Sequence, residues 1–153
     1  MAKLTHLDEQ GRARMVDVGA KVPQRRTASA RGDFVAAAQT LDAVFSGHLP
    51  KGDALSVARV AGIAAAKRTD QWIPLCHSLP LDHVAVDFER PESGRLQVTA
   101  SASTVARTGV EMEALVAVTA ACLCLYDMTK AIDKDLRIEN VRVVQKKKED
   151  VVG

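Results

Sequence analysis

The stretch from Glu111 to Lys130 constrains the fold more than any other part of the chain. Its apolar run, Ala114 to Tyr126, is interrupted by Thr119 and bracketed by Glu111-Met112-Glu113 and Asp127-Met128-Thr129-Lys130. The run is shorter than the roughly 20 residues a bilayer span needs. It reads instead as the middle of one long core helix, predicted from about Val110 to Lys134. Carboxylates and ammonium groups seldom flank so apolar an element unless they pair or do chemistry. A second stretch repeats the juxtaposition, with Lys67-Arg68 running into Ile73-Pro74-Leu75-Cys76-His77. A buried polar cleft is the leading expectation.

Helix geometry sharpens it. Glu113 and Asp127 lie fourteen residues apart, so on one helix they fall within roughly 40° of the same face but about 21 Å apart along the axis. A single small substrate does not span that distance on one chain. The simplest arrangement sets two such helices antiparallel across a two-fold axis, bringing Glu113 of one subunit to Asp127 and Lys130 of another. An interfacial site in a homo-oligomer is therefore expected, with Asp127 and Lys130, three apart on one face, as one acid/base unit.

Composition narrows the classes. A length of 153 residues suits one compact domain. The net charge of +2, from 21 basic and 19 acidic residues, lacks the bulk positive charge of a general nucleic-acid binder, so any cationic site must be local. Cys76, Cys122 and Cys124 are odd in number and lack C-x-x-C spacing, which argues against a disulfide framework and for a reducing compartment. The N-terminal residues contain no apolar signal-like stretch. Cytoplasmic, with no membrane partner, is the expectation.

Residues 1–30 are polar, rich in Arg, Ala and Ser, and read as a flexible arm before a single α+β domain over 31–153. Phe34, Ala38, Leu41 and Phe45 match helical spacing, and a short strand around Phe34 to Gln39 followed by a helix capped at Thr40 and ended by Ser46-Gly47 is equally allowed; strand then helix is the favoured reading. A loop with glycines at 47 and 52 carries Lys51, and Asp53 can cap a second helix whose face is lined by Leu55, Ala58, Gly62, Ala65 and Ala66. Beyond Pro80 the period changes to two. Val84, Val86 and Phe88, then Leu96, Val98, Ala100 and Ala102, form a hairpin about the Pro91-Glu92-Ser93-Gly94 turn. After the long helix, Ile138, Val141 and Val143 suggest a closing strand before the lysine run 146–148, read as a solvated end. This order gives a ferredoxin-like antiparallel sheet with helices packed on one face.

Each candidate also has an ordinary reading. Asp127 and Lys130 make a plain surface helix pair in many proteins. Cys76 and His77, adjacent in an extended segment, point to opposite sides and do not form a nucleophilic dyad. Cys122 and Cys124 are most simply core packing. Lys51-Gly52-Asp53 is not a phosphate-loop motif. Lys67 and Arg68 suit either a helix C-terminus or phosphate oxygens. No second ligand stands at metal-site spacing from His77.

Taken in order, several motifs resemble one family. Lys51-Gly52-Asp53, Ala61-Gly62-Ile63, Ala65-Ala66-Lys67-Arg68-Thr69, Ile73-Pro74-Leu75-Cys76-His77, Thr108-Gly109-Val110-Glu111-Met112-Glu113-Ala114 and Tyr126-Asp127-Met128 with Lys130-Ala131 are similar to the signature of the cyclic pyranopterin monophosphate synthases, the MoaC family of molybdenum-cofactor biosynthesis. With Met15-Val16-Asp17-Val18, the resemblance covers nearly the whole chain. It departs at Ser78, Thr129 and Gly19, where Pro, Cys and Ser are usual; none is a candidate catalytic group.

The resemblance implies conversion of 3′,8-cyclo-7,8-dihydroguanosine 5′-triphosphate to cyclic pyranopterin monophosphate and pyrophosphate, a lyase reaction. It also implies a homohexamer, a trimer of dimers with interfacial sites. Carried over residue by residue, it makes Asp127 the general acid/base and Lys51 and Lys130 catalytic cations. Leu75, Cys76 and His77, then Met112 and Glu113, become substrate-binding segments, with Lys67 and Arg68 on phosphate. No protein-bound cofactor or metal is expected; Mg2+ carried by the triphosphate is left open. Two other classes share the topology. An RNA-binding module needs aromatic stacking residues on the central strands, where Phe88 is the one candidate. A small-molecule regulatory domain needs no proton-transfer group in its pocket.

Overall fold

The computed structural model describes residues 5–151. The first four residues of the expected arm and the last two of the tail lie outside the described residues. The elements run β1 (Gln24–Val35), α1 (Ala38–Ser46), α2 (Ala54–Ala66), α3 (Thr69–Trp72), β2 (His83–Glu92), β3 (Arg95–Ala106), α4 (Glu111–Thr129) and β4 (Arg137–Glu149). Pairing is antiparallel throughout, in the order β2-β3-β1-β4, with the helices on one face. This is the expected ferredoxin-like α+β layer.

Small residues set the spacing of the layers. The central pair matches Ala28 with Ala102, Ala30 with Ala100 and Gly32 with Val98, all buried beneath the helices. A Cβ on Gly32 would stand 2.8 Å from Val118 Cγ1 of α4, too close to fit without a shift. Gly62 plays the same part between helices, where a Cβ would approach the Ala117 carbonyl oxygen to 2.8 Å. Helices α2 and α4 thus come so close at Gly62 that a side chain there would force them apart. By length and a mean hydropathy of 1.5, α4 alone would pass for a membrane span, but most of it is buried inside this core.

Besides the end of α4, four boundaries differ from the sequence expectations. β1 begins at Gln24, inside the stretch expected as an arm, because its inward positions are Ala28, Ala30 and Gly32, too small to register as a hydrophobic alternation. β4 continues through Lys146–Lys148, since the longer β1 gives those residues a partner to pair with. The hairpin turn tightens to Ser93-Gly94, with Pro91 and Glu92 in β2. Helix α1 starts at Ala38, with Ala37 rather than Thr40 at its N-cap.

That last difference explains why α4 stops at Thr129 and not near Lys134. Ala37 has no side-chain oxygen to cap α1, and Asp133 supplies one from across the fold. Its Oδ2 accepts the Ala37 N–H at 2.8 Å and the Thr40 hydroxyl at 2.9 Å, while Oδ1 accepts the Asp135 N–H at 3.0 Å. A final turn, in which the Asp133 N–H donates to the Thr129 carbonyl at 3.1 Å, delivers this carboxylate. These bonds, led by that from Ala37, hold the Asp133 pKa below its ordinary value. Because the folded-state pKa is depressed, the stabilisation is present above the ordinary Asp range and is lost as pH falls through the folded value. Asp133→Ala should cost about 1–2 kcal/mol near neutral pH, the worth of a good cap. Urea unfolding should show the gap to the parent shrinking as pH falls below the ordinary Asp range; a gap that is absent, or that widens in acid, would contradict the capping role.

Candidate functional site

The candidates fall in two main places, set by the two ends of α4. At its C-terminal end, Asp127 and Lys130 project from the last turn and the Gly47–Asp53 loop brings in Lys51. Gly47 (φ 72°) ends α1 in the left-handed region and Gly52 (φ 93°) turns the loop toward α2, which Asp53 caps by accepting the Ser56 N–H. Buried Leu49 pins the loop to the core. Lys51 Nζ donates to Asp127 Oδ2 and to the Asp127 carbonyl, each at 3.0 Å, and Lys130 Nζ lies 2.6 Å from Oδ1. The two ammonium groups, Lys130 first, hold the Asp127 carboxyl well below the usual range, to about 2. Asp127 in turn raises the Lys130 pKa. All three side chains are about half exposed, so water and ligands reach them.

At the N-terminal end of α4 lies a cavity of about 340 Å³, lined on one side by Ile73, Leu75, Cys76 and His77 and on another by Thr108, Gly109, Glu111 and Met112. The third wall is the N-terminal segment, through His6, Val16, Val18 and Lys21. His77 Nε2 donates to the Val16 carbonyl at 2.8 Å, which fixes that nitrogen as the one bearing hydrogen and leaves Nδ1 for a ligand. Glu113, which follows the lining residue Met112, is buried at 2% exposure, and its Oε2 has no hydrogen-bond partner. Burial raises its pKa, reinforced by the charges of Glu111 and Asp70. The Cys76 thiol is also raised, first by burial and then by Glu113, so it is not an activated nucleophile.

Lys67 and Arg68 stand apart from both groups. They are exposed at the C-terminal end of α2, beside a shallow cavity formed with Val60, Ile63 and Ala64. Cys122 is core packing, its thiol pushed up to about 12 by burial. Among the described residues, no three His, Cys, Asp or Glu side chains converge as a metal site would require. The wall formed by Val16, Val18 and Lys21 was not among the expected site residues. Its one trace in the sequence is the apolar trio Met15, Val16 and Val18 in an otherwise polar stretch.

The model of the MoaC family matches residues 15–149. A cyclic pyranopterin monophosphate synthase from Novosphingobium aromaticivorans is 56% identical over 96% of this chain and 93% of its own length. Synthases of the same name from a Roseiflexus species and from Pelotomaculum thermopropionicum are 54% and 52% identical, each over 95% of this chain and over 93% and 86% of their own lengths. With both the family model and these relatives spanning nearly all of its length, the chain belongs to the MoaC family.

Proposed function

We propose that this chain is a lyase converting 3′,8-cyclo-7,8-dihydroguanosine 5′-triphosphate to cyclic pyranopterin monophosphate and pyrophosphate, in a site completed by two subunits. The observation that carries the two-subunit reading is the position of the candidate groups at opposite ends of one unbroken 19-residue helix. Met112 and Asp127 are separated by fifteen residues of α4, about 22 Å of rise. An antiparallel second copy would close that distance. Support for such a copy comes from the outer surface of α2 and α4, where Val57, Val60 and Leu123 are exposed. A homohexamer built as three such dimers satisfies the arrangement.

The electrostatics suit the reaction. The substrate brings several negative charges, and its phosphates compete with Asp127 for Lys51 and Lys130. As the ammonium groups move onto phosphate oxygens, Asp127 loses the two partners that hold its pKa low and becomes a stronger base, so substrate binding itself prepares proton transfer. The lysines, once on phosphate, neutralise charge on the departing pyrophosphate. Glu113, displaced in the opposite direction by burial, offers an unfilled acceptor to the N–H groups of the guanine-derived ring. Leu75, Met112 and Cys76 supply the apolar wall for that ring, His77 a further donor, and Lys67 and Arg68 a cationic approach. The three free cysteines and a soluble nucleotide substrate fit a reducing, cytoplasmic setting.

An RNA-binding reading loses its support. Phe88 lies on edge strand β2 with the Arg59 guanidinium 5.2 Å from its ring centroid, and Phe34 of central β1 is fully buried.

Incubation with the cyclised triphosphate, followed by mass spectrometry of pyrophosphate and the pterin, tests the reading. The parent should turn over and Asp127→Asn should fall at least about a hundredfold, the scale of general acid-base catalysis. No turnover by folded parent would overturn the synthase reading, and equal rates would remove Asp127 from the chemistry. Lys51→Ala should lose turnover to a similar degree while changing unfolding stability by no more than ~1 kcal/mol, since its ion pair is exposed. A stability loss matching the activity loss would recast Lys51 as structural.

A further inference from the structure

Strand β3 carries a hydroxyl where its own pattern calls for an apolar side chain. Leu96, Val98, Ala100 and Ala102 alternate inward and are buried beneath the helices, and the next inward position is Thr104, 1% exposed. A valine there would continue the row with no polar atom to satisfy. The Thr104 hydroxyl instead donates to the Pro80 carbonyl at 2.5 Å, across 24 residues of chain. Pro80 has no N–H, so that carbonyl is the one backbone group through which it can be held. Beside it, the Asp82 N–H donates to the Ser103 carbonyl at 2.9 Å. These two bonds fasten the end of the segment between α3 and β2 to the end of β3.

The segment they fasten forms one wall of the cavity at the start of α4, through Ile73, Leu75, Cys76, His77 and Leu79. Prolines at 74 and 80 keep it out of helix and ladder, so it has few bonds of its own. The Ile73 N–H reaches the Thr69 carbonyl at 2.9 Å, the Cys76 N–H the Ile73 carbonyl at 3.0 Å, and His77 the Val16 carbonyl at 2.8 Å. Among the described residues, Thr104 is the one core side chain that donates to this backbone. The strand that carries it ends at Ala106 and leads into Thr108, Gly109, Glu111 and Met112, the opposite wall. One buried bond therefore ties the roots of both walls together. The geometry points to Thr104 as a positioning residue for the reaction: outside the cavity lining itself, it sets the gap that receives the guanine-derived ring. This rests on the synthase reading for what the cavity holds. Lys51, Asp127 and Lys130 gather at the other end of α4, so loss of the bond falls on ring binding rather than on proton transfer.

Thr104→Val keeps the bulk and removes the hydroxyl, while Thr104→Ser keeps the hydroxyl and removes a methyl. Steady-state turnover of the cyclised triphosphate is measured for both beside the parent, and amide hydrogen exchange of peptides covering 73–82 is followed by mass spectrometry. In Thr104→Val the KM should rise about tenfold, the scale of a hydrogen bond whose acceptor is left unpaired, while kcat changes far less. The 73–82 amides should exchange faster in the same variant. Thr104→Ser should stay close to the parent in both readouts, which a packing role for the methyl would not give. Thermal melting checks folding; should Thr104→Val not fold, Thr104→Cys, with a far weaker donor at the same place, carries the test in the same direction. Unchanged KM in a folded variant, a KM rise without faster 73–82 exchange, or a Thr104→Ser as impaired as Thr104→Val would overturn the positioning role. If the parent does not turn over the nucleotide, the synthase reading falls, while faster 73–82 exchange in Thr104→Val still upholds the anchor and unchanged exchange removes it.

Discussion

The close seating of α4 against the sheet and against α2 governs the rest of this structure. Gly32 and Gly62, with the alanines of β1, β3 and α2, remove the bulk that would otherwise hold the layers apart. A helix packed this closely is buried along most of its length, so its two ends are held in place by the core. One end presents Asp127 and Lys130; the other presents Glu111, Met112 and Glu113. The packing that stabilises the monomer therefore sets the separation on which the proposal of a two-subunit site rests.

The same helix gives its carboxyl groups opposite environments. Asp127 sits exposed between two ammonium groups, and Glu113 sits buried with an unmet acceptor. Their pKa values move apart for different reasons, ion pairing in one case and desolvation in the other. Carboxyls driven apart in this way can take different parts in one proton-transfer sequence. In the proposed two-subunit site, the low-pKa group would meet phosphate chemistry and the buried group the ring. Lys51 belongs to the first set only because a loop pinned by Leu49 and turned at Gly52 reaches the end of α4.

Much of this was legible in the residues. The hairpin showed in the alternation of Val84 to Phe88 and Leu96 to Ala102, the α2 cap in Asp53, and the Asp127–Lys130 unit in its three-residue spacing. The start of β1 was hidden because alanine and glycine carry too little hydrophobic contrast to reveal a period of two, although they are the residues the close helix demands. The end of α4 was hidden because Asp133 is needed by α1, ninety-six residues earlier in the chain for the Ala37 N–H, and no local pattern reports such a demand. The lysine run at 146–148 is exposed, as its reading as a solvated end expects, but its pairing within β4 was hidden for a similar reason. Its cross-strand neighbour Arg26 is far away in sequence, and only the register brings their charges together.

Subunit complementation tests the shared site most directly. Glu113→Ala and Asp127→Ala chains, each inactive alone, are mixed under conditions that allow subunit exchange, and turnover of the cyclised triphosphate is followed. In a mixed dimer one of the two sites carries both changes and the other carries neither, so random exchange of equal amounts should restore about a quarter of the parental activity. No recovery, with exchange verified by mass spectrometry of the mixed oligomers, would contradict a site built from opposite ends of α4 on two chains.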